Sequence, residues 1–144
     1  MKYSGKGTHM TAEKEERKDI YNGLGGHVEE DEDVIENAKK EALEEAGINL
    51  LNPKVKGIMN VSNFSGKNVM MFIVVGTTED ELTTSTLEGD LEWIPFDKLD
   101  KINVFDDVKP FLETITKLKP EEMFLGKAKF DGKFKLLELN YSVY

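Results

Sequence analysis

Gly26 to Ile48 reads GHVEEDEDVIENAKKEALEEAGI, and the spacing of its acids and alanines decides how the rest of the chain is read. On a helix, Glu41, Glu44 and Glu45 project within about a third of the circumference. Carboxylates grouped in this way outline a cation site or, alternatively, the solvated face of an amphipathic helix, since Glu-rich helix surfaces are common. Ile35, Ala38, Ala42 and Ala46 form a neighbouring stripe at the same period, small and apolar enough to lie closely against a sheet. The acidic run from Glu29 to Asp33 offers Asp31 or Asp33 as N-cap, where negative charge is favourable. Gly47 supplies a left-handed stop, so the spacing predicts a helix from about Asp33 to Ala46.

Ahead of the helix, Tyr21-Asn22-Gly23-Leu24-Gly25-Gly26 marks backbone that turns sharply or comes close to another group. Residues 1–20 mix polar, basic and acidic types without sustained alternation. They read as a weakly ordered arm in which Thr8 to Thr11 adds at most a short edge, leaving 21–144 as a single domain. After the helix, Val55 to Val61 and Asn68 to Val75 are β-type segments joined by a hairpin at Asn63-Phe64-Ser65-Gly66. Val69 to Val75 is apolar throughout and is expected to be a central, doubly covered core strand. Leu91 to Ile94 reads as a short strand ended by Pro95, and Phe96 to Phe105 as irregular. Asp106 or Asp107 is placed to cap a second helix with Val108, Phe111, Leu112, Ile115 and Leu118 on its buried face. From Met123 on, the chain alternates around Asp131-Gly132, a hairpin signal. Strands bracketing one acidic helix, with a second helix near the C-terminus, argue for a mixed α/β (α+β) sandwich.

The 144 residues carry 19 basic and 28 acidic side chains, a net charge of −9. Long nucleic acid and anionic membranes call for clustered Lys and Arg, so neither is an expected partner. A phosphorylated small molecule is compatible with an acidic chain when a divalent cation bridges the two, and Mg²⁺ is commonly held by one or two carboxylates together with substrate phosphates. Without cysteine, neither disulfides nor thiolate metal sites form, which fits a reducing cytoplasm. MKYSGKGTHM lacks the hydrophobic segment of a secretory signal, and no apolar run approaches membrane-spanning length.

The stretch Gly26 to Ile48 resembles the box of the Nudix hydrolase family, G-x5-E-x7-R-E-U-x-E-E-x-G-U with U aliphatic, through Gly26, Glu32, Glu41, Ala42, Glu44, Glu45, Gly47 and Ile48. The departure is Lys40, where the family has an arginine that helps orient the box glutamates; lysine keeps the charge but loses the planar two-pronged hydrogen bonding. The resemblance implies a Nudix-type α/β/α sandwich with a mixed sheet. In the family, one or two apolar strands precede the glycines, and here they are expected to be shortened or missing. An uncovered edge favours pairing with a second chain, hence a homodimer.

By the same resemblance the chain is similar to the MutT-type branch that hydrolyses oxidised purine nucleoside triphosphates such as 8-oxo-dGTP. The implied reaction is Mg²⁺-dependent, with Mn²⁺ as a substitute, and releases a nucleoside monophosphate and pyrophosphate. Glu41, Glu44 and Glu45 would hold the metal, and Glu45 or Glu88 would take the proton of the attacking water. Lys40 and backbone amides near Gly25 and Gly26 would position the phosphates, with Glu32 and Gly26 supporting the box. Asn22 matches a base-contacting asparagine of the branch, or is a turn residue beside Gly23; Glu88 matches a metal-reaching glutamate, or is a solvated loop acid. Asp106 and Asp107 sit where the branch reads the purine edge, one of them alternatively a helix cap, and Phe105 stands near the place of its stacking aromatic. Trp93 reads as core, and His9 and His27 form no metal constellation. The rival expectations are another Nudix substrate (a nucleotide sugar, a dinucleoside polyphosphate or an unmodified dNTP) and a catalytically weak nucleotide-binding module.

Overall fold

The computed structural model describes residues 3–4, 7–12, 20–81 and 91–144, with side chains from residue 23 onward. In chain order the elements are β1 (Tyr3–Ser4), β2 (Gly7–Ala12), β3 (Ile20–Gly23), α1 (Val34–Ala46), β4 (Leu51–Phe64), β5 (Lys67–Thr77), β6 (Leu91–Ile94), a 3-10 helix (Phe96–Lys101), β7 (Asn103–Val104), α2 (Val108–Lys117), β8 (Phe124–Phe130) and β9 (Leu136–Val143). They fall into two units, the first of Met1–Lys54 and Val74–Val104, the second of Val55–Ile73 and Phe105–Tyr144.

In the first unit, a five-stranded sheet runs β1-β2-β3-β7, with β6 also paired to β2. The sheet is mixed: β2 is antiparallel to β1, β3 and β6, whereas β3 is parallel to β7. Gly7–Ala12 is therefore not a short edge, and the expected gap in the sheet is filled, with His9 opposite Trp93 and Thr11 opposite both Leu91 and Asn22. α1 buries Ala42 and Ala46, and Ile48, Leu50, Val74, Ile94 and Leu99 join them in the core. The chain leaving α1 is tied down where Asn49 donates to Asp80 Oδ2 from its backbone N–H at 2.7 Å and its side-chain amide at 3.1 Å. The segment expected to be irregular holds the 3-10 helix and β7.

In the second unit, strands are ordered β5-β4-β8-β9, with β4 parallel to β8 and β8 antiparallel to β9. Gly57 stands opposite Phe124, and a Cβ there would run into the Phe124 ring, so glycine lets that fully buried side chain lie against the strand. α2 buries Val108, Phe111, Leu112 and Ile115 as its period predicts, while Leu118, beyond its end, is half-buried. Lys56 pins the turn after α2 by donating to the carbonyls of Lys119 at 2.9 Å, Pro120 at 3.2 Å and Glu122.

The expectation for β5 is corrected. Among the described residues β5 ends its sheet, and Val69, Met70 and Phe72 are 38, 55 and 41% exposed, although Ile73 and Val74 are buried. An apolar run records an affinity for β structure, and the number of neighbours is set by partners remote in sequence.

Candidate active site

α1 is fixed at both ends by its own residues. Asp33, rather than Asp31, is the N-cap: Asp33 Oδ1 accepts the N–H groups of Ile35 at 2.7 Å and Glu36 at 2.9 Å, and Glu36 returns a carboxylate to the Asp33 N–H at 2.8 Å. This reciprocal box satisfies donors that the first turn would otherwise leave open. Gly47 closes the helix at φ 65°, donating to Leu43 O at 2.9 Å. The helix frame therefore begins and ends where the box pattern needs it. Glu44 and Glu45 lie in its final turn with Glu41 just before them, and no basic residue accompanies them there. A carboxylate in the last turn, at the negative end of a helix dipole, costs about 0.3–1 kcal/mol, a cost that a bound cation would offset.

The loop before α1 is clamped to it through Glu32. Its Oε1 accepts from the Glu29 N–H at 2.7 Å, Asn37 Nδ2 at 2.8 Å and Lys40 Nζ at 2.9 Å, and its Oε2 accepts from Lys40 Nζ at 2.8 Å. Lys40 Nζ also reaches Glu29 Oε2 at 3.0 Å, and Asn37 Nδ2 reaches the His27 carbonyl at 2.9 Å. The Lys40 ammonium first, then the Glu29 N–H and the Asn37 amide, hold the Glu32 carboxyl down at about 2, and Glu32 in turn, then Glu29, raises the Lys40 ammonium above the usual lysine range. The three donors of Lys40 are thereby directed at Glu29 and Glu32, within the box loop. Gly26 meets the expectation of close approach: a Cβ there would stand 2.5 Å from Glu41 Oε1 and 2.6 Å from Glu41 Cδ.

Glu41 and Glu45 are half-buried and Glu44 is exposed. Among the described residues, no three acidic or imidazole side chains converge on a ready-made cage. The donor chemistry still fits a hard cation, since Mg²⁺ takes one or two carboxylates and completes its octahedron with phosphate and water. Asn22 belongs to β3, and its side chain lies outside the described residues, as does Glu88. His27 is exposed and contributes its carbonyl to the brace; Trp93 is half-buried in β6.

In the second unit, Asp107 occupies the N-cap position of α2 but makes no side-chain capping bond. It is buried, 7% exposed; that burial, helped by the neighbouring charge of Asp106, pushes its carboxyl up to about 6. Asp106 is exposed and accepts the Leu136 N–H at 3.1 Å. Phe105 is 4% exposed and packs in a ring cluster: Phe64 stands edge-on to Phe105, Phe130 and Phe134 at centroid separations of 5.0, 5.1 and 4.9 Å. A ring so enclosed fills a core and offers little face for stacking on a base. The sequence reading missed Asn37, Glu29, Phe64 and Phe134. For Asn37 a signal existed, a polar residue three positions before Lys40 on the same helix face.

A Nudix domain model matches residues 7–115, and the chain belongs to the Nudix family. It is a hydrolase of phosphoanhydride bonds of the MutT-like kind, with the mixed α+β fold of that family. Its structure is similar to that of the mutator MutT protein from Bacillus halodurans, with a TM-score of 0.80 and 27% identity, covering 93% of this chain and 88% of that one. The same fold is seen in a MutT structure described for Aliivibrio salmonicida and Vibrio cholerae, with a TM-score of 0.60 and 14% identity over 74% of this chain and 82% of that one.

Proposed function

We propose that this chain is a Mg²⁺-dependent nucleoside triphosphate pyrophosphohydrolase with a purine substrate of the 8-oxo-dGTP type, converting it to the nucleoside monophosphate and pyrophosphate. The observation that carries the reading is the grouping of Glu41, Glu44 and Glu45 at the C-terminal end of α1, whose last turn holds no basic residue, beside a braced glycine loop. These carboxylates would hold Mg²⁺ or Mn²⁺, which when bound neutralises phosphate charge and lowers the pKa of water. Glu45 or Glu88 takes a proton from water as its oxygen bonds to phosphorus and the bond to the pyrophosphate oxygen breaks. Backbone amides near Gly25 and Gly26 point the phosphate chain. Asn22 contacts the base in this reading, and Asp106 and Asp107 read the purine edge, a proton shared by two close carboxyls letting one donate while the other accepts.

A homodimer and a cytoplasmic location belong to the same proposal. The exposed apolar end strand β5 supports the first, and a chain free of cysteine fits the second. No helix among the described residues is long and apolar enough to cross a membrane. The test is a panel of 8-oxo-dGTP, the four dNTPs, a nucleotide sugar and a dinucleoside polyphosphate with Mg²⁺, the products separated by ion exchange. Monophosphate and pyrophosphate from 8-oxo-dGTP, at the highest kcat/KM of the panel, is the expected result. Preference for a diphosphate derivative, or no turnover at all, overturns the reading.

A further inference from the structure

Asn37 occupies a position that the box pattern leaves unspecified, yet it is 6% exposed and, with Asp107, one of the buried polar residues among those described. A buried amide is stable only with its hydrogen bonds made, and here both N–H groups point into the brace. One goes to Glu32 Oε1 at 2.8 Å and the other to the His27 carbonyl at 2.9 Å. Lys40 carries three donors, matched by its three contacts with Glu29 Oε2 and the two Glu32 oxygens. It therefore has nothing left for the His27 carbonyl, which lies next to Gly26. An arginine at 40 would bring five N–H donors in a planar fork; Lys40 and Asn37 together bring the same number.

We propose that Asn37 is a positioning residue that completes the work of Lys40: the two side chains share the donor set of one guanidinium, and the amide fixes the His27 backbone so that Gly26 stays packed on the Glu41 carboxylate. The brace acts through Gly26, where space is limiting, because a single added carbon would already collide with Glu41. Loss of the amide frees the loop at His27 and releases Glu41 from its half-buried setting. The inference rests on the hydrolase reading of α1 for its kinetic consequence, whereas the coupling of Asn37 to Lys40 stands on geometry alone.

The test is a double-mutant cycle of Asn37→Ala and Lys40→Arg, read by kcat/KM on 8-oxo-dGTP with Mg²⁺, by Mn²⁺ binding in electron paramagnetic resonance, and by metal-free thermal unfolding. Asn37→Ala is expected to lower kcat/KM and Mn²⁺ affinity about 10- to 100-fold, as for other residues that orient metal ligands. Lys40→Arg in that background is expected to restore most of the loss in both, and the melting shifts are expected to be non-additive. If alanine at 37 does not fold, Asn37→Thr, which keeps bulk and one donor, replaces it in the same cycle. A double variant as impaired as Asn37→Ala alone, with additive melting shifts, overturns the proposal. If even the wild-type chain leaves 8-oxo-dGTP untouched, the substrate reading fails, and the melting and Mn²⁺ arms decide the role of Asn37 on their own.

Discussion

Replacing Gly26 by alanine separates the chemistry of the box from the stability of the fold. The backbone at Gly26 lies outside the left-handed region, so alanine is not strained there; the three atoms nearest the added carbon all belong to Glu41, at 2.5 Å for Oε1, 2.6 Å for Cδ and 2.9 Å for Oε2. Non-bonded heavy atoms sit best at about 3.5 Å, so the carboxylate must withdraw by about 1 Å. A half-buried glutamate can do so by leaving its rotamer, at about 0.5–1.5 kcal/mol, and the fold survives. A misplacement of about 1 Å in a catalytic constellation costs on the order of 100-fold in rate. Gly25→Ala is the steric comparison, because a Cβ there meets nothing within 4 Å and the backbone amide assigned to the phosphates is kept. Steady-state kcat/KM on 8-oxo-dGTP with Mg²⁺, paired with urea unfolding, is expected to show about a 100-fold loss for Gly26→Ala alone, with both variants unfolding near the wild-type midpoint. Equal activity in the two variants would refute the claim that Gly26 shapes Glu41.

Titration gives two opposite signatures. Asp107 loses its proton near 3.8 when unfolded and at about 6 when folded, so the native state binds more protons in between and stability falls as pH rises through that window. Asp107→Asn is therefore expected to exceed wild type by up to about 3 kcal/mol at pH 7, with the gap closing by pH 3, as followed by chemical denaturation. Glu32 behaves in reverse: its carboxyl is held at about 2 against 4.5 when unfolded, so its contribution is present above 4.5 and lost as pH falls towards 2. The melting difference between wild type and Glu32→Gln is expected to shrink across that acid range. Gly47→Ala puts a side chain on a residue at φ 65° and is expected to cost about 1 kcal/mol in urea unfolding while leaving KM unchanged.

Features settled by neighbours in sequence were legible before the structure. α1, a cap at Asp31 or Asp33 and the Gly47 stop follow from groups within a few residues of the backbone they satisfy, although the choice of Asp33 over Asp31 came only with the structure, and the buried face of α2 follows from period alone. Features settled across the sheet were not. Gly7–Ala12 has no strong alternation and is held as a strand by β6 on one side and β1 and β3 on the other. Val69 to Val75 looks like a central strand because apolar character does not count neighbours. The site divides in the same way. The carboxylates of α1 are readable from a helical wheel, whereas the burial of Asp107, the enclosure of Phe105 by Phe64 and Phe134, and the bond from Asn37 to the His27 carbonyl depend on how loops return. Lys40 illustrates the limit: its charge was read correctly, and the carboxylates it serves were visible only in three dimensions.

The central claim is that the acidic end of α1 holds the cation that makes phosphoanhydride hydrolysis fast. Its most direct test replaces Glu44 and Glu45 singly by Gln, which keeps the shape and removes the charge, and measures pyrophosphate release from 8-oxo-dGTP across a Mg²⁺ titration. Each variant is expected to fold, to lose at least about 100-fold in kcat and to require more Mg²⁺ for half-maximal rate. Wild-type rates and Mg²⁺ dependence in both variants would contradict the claim.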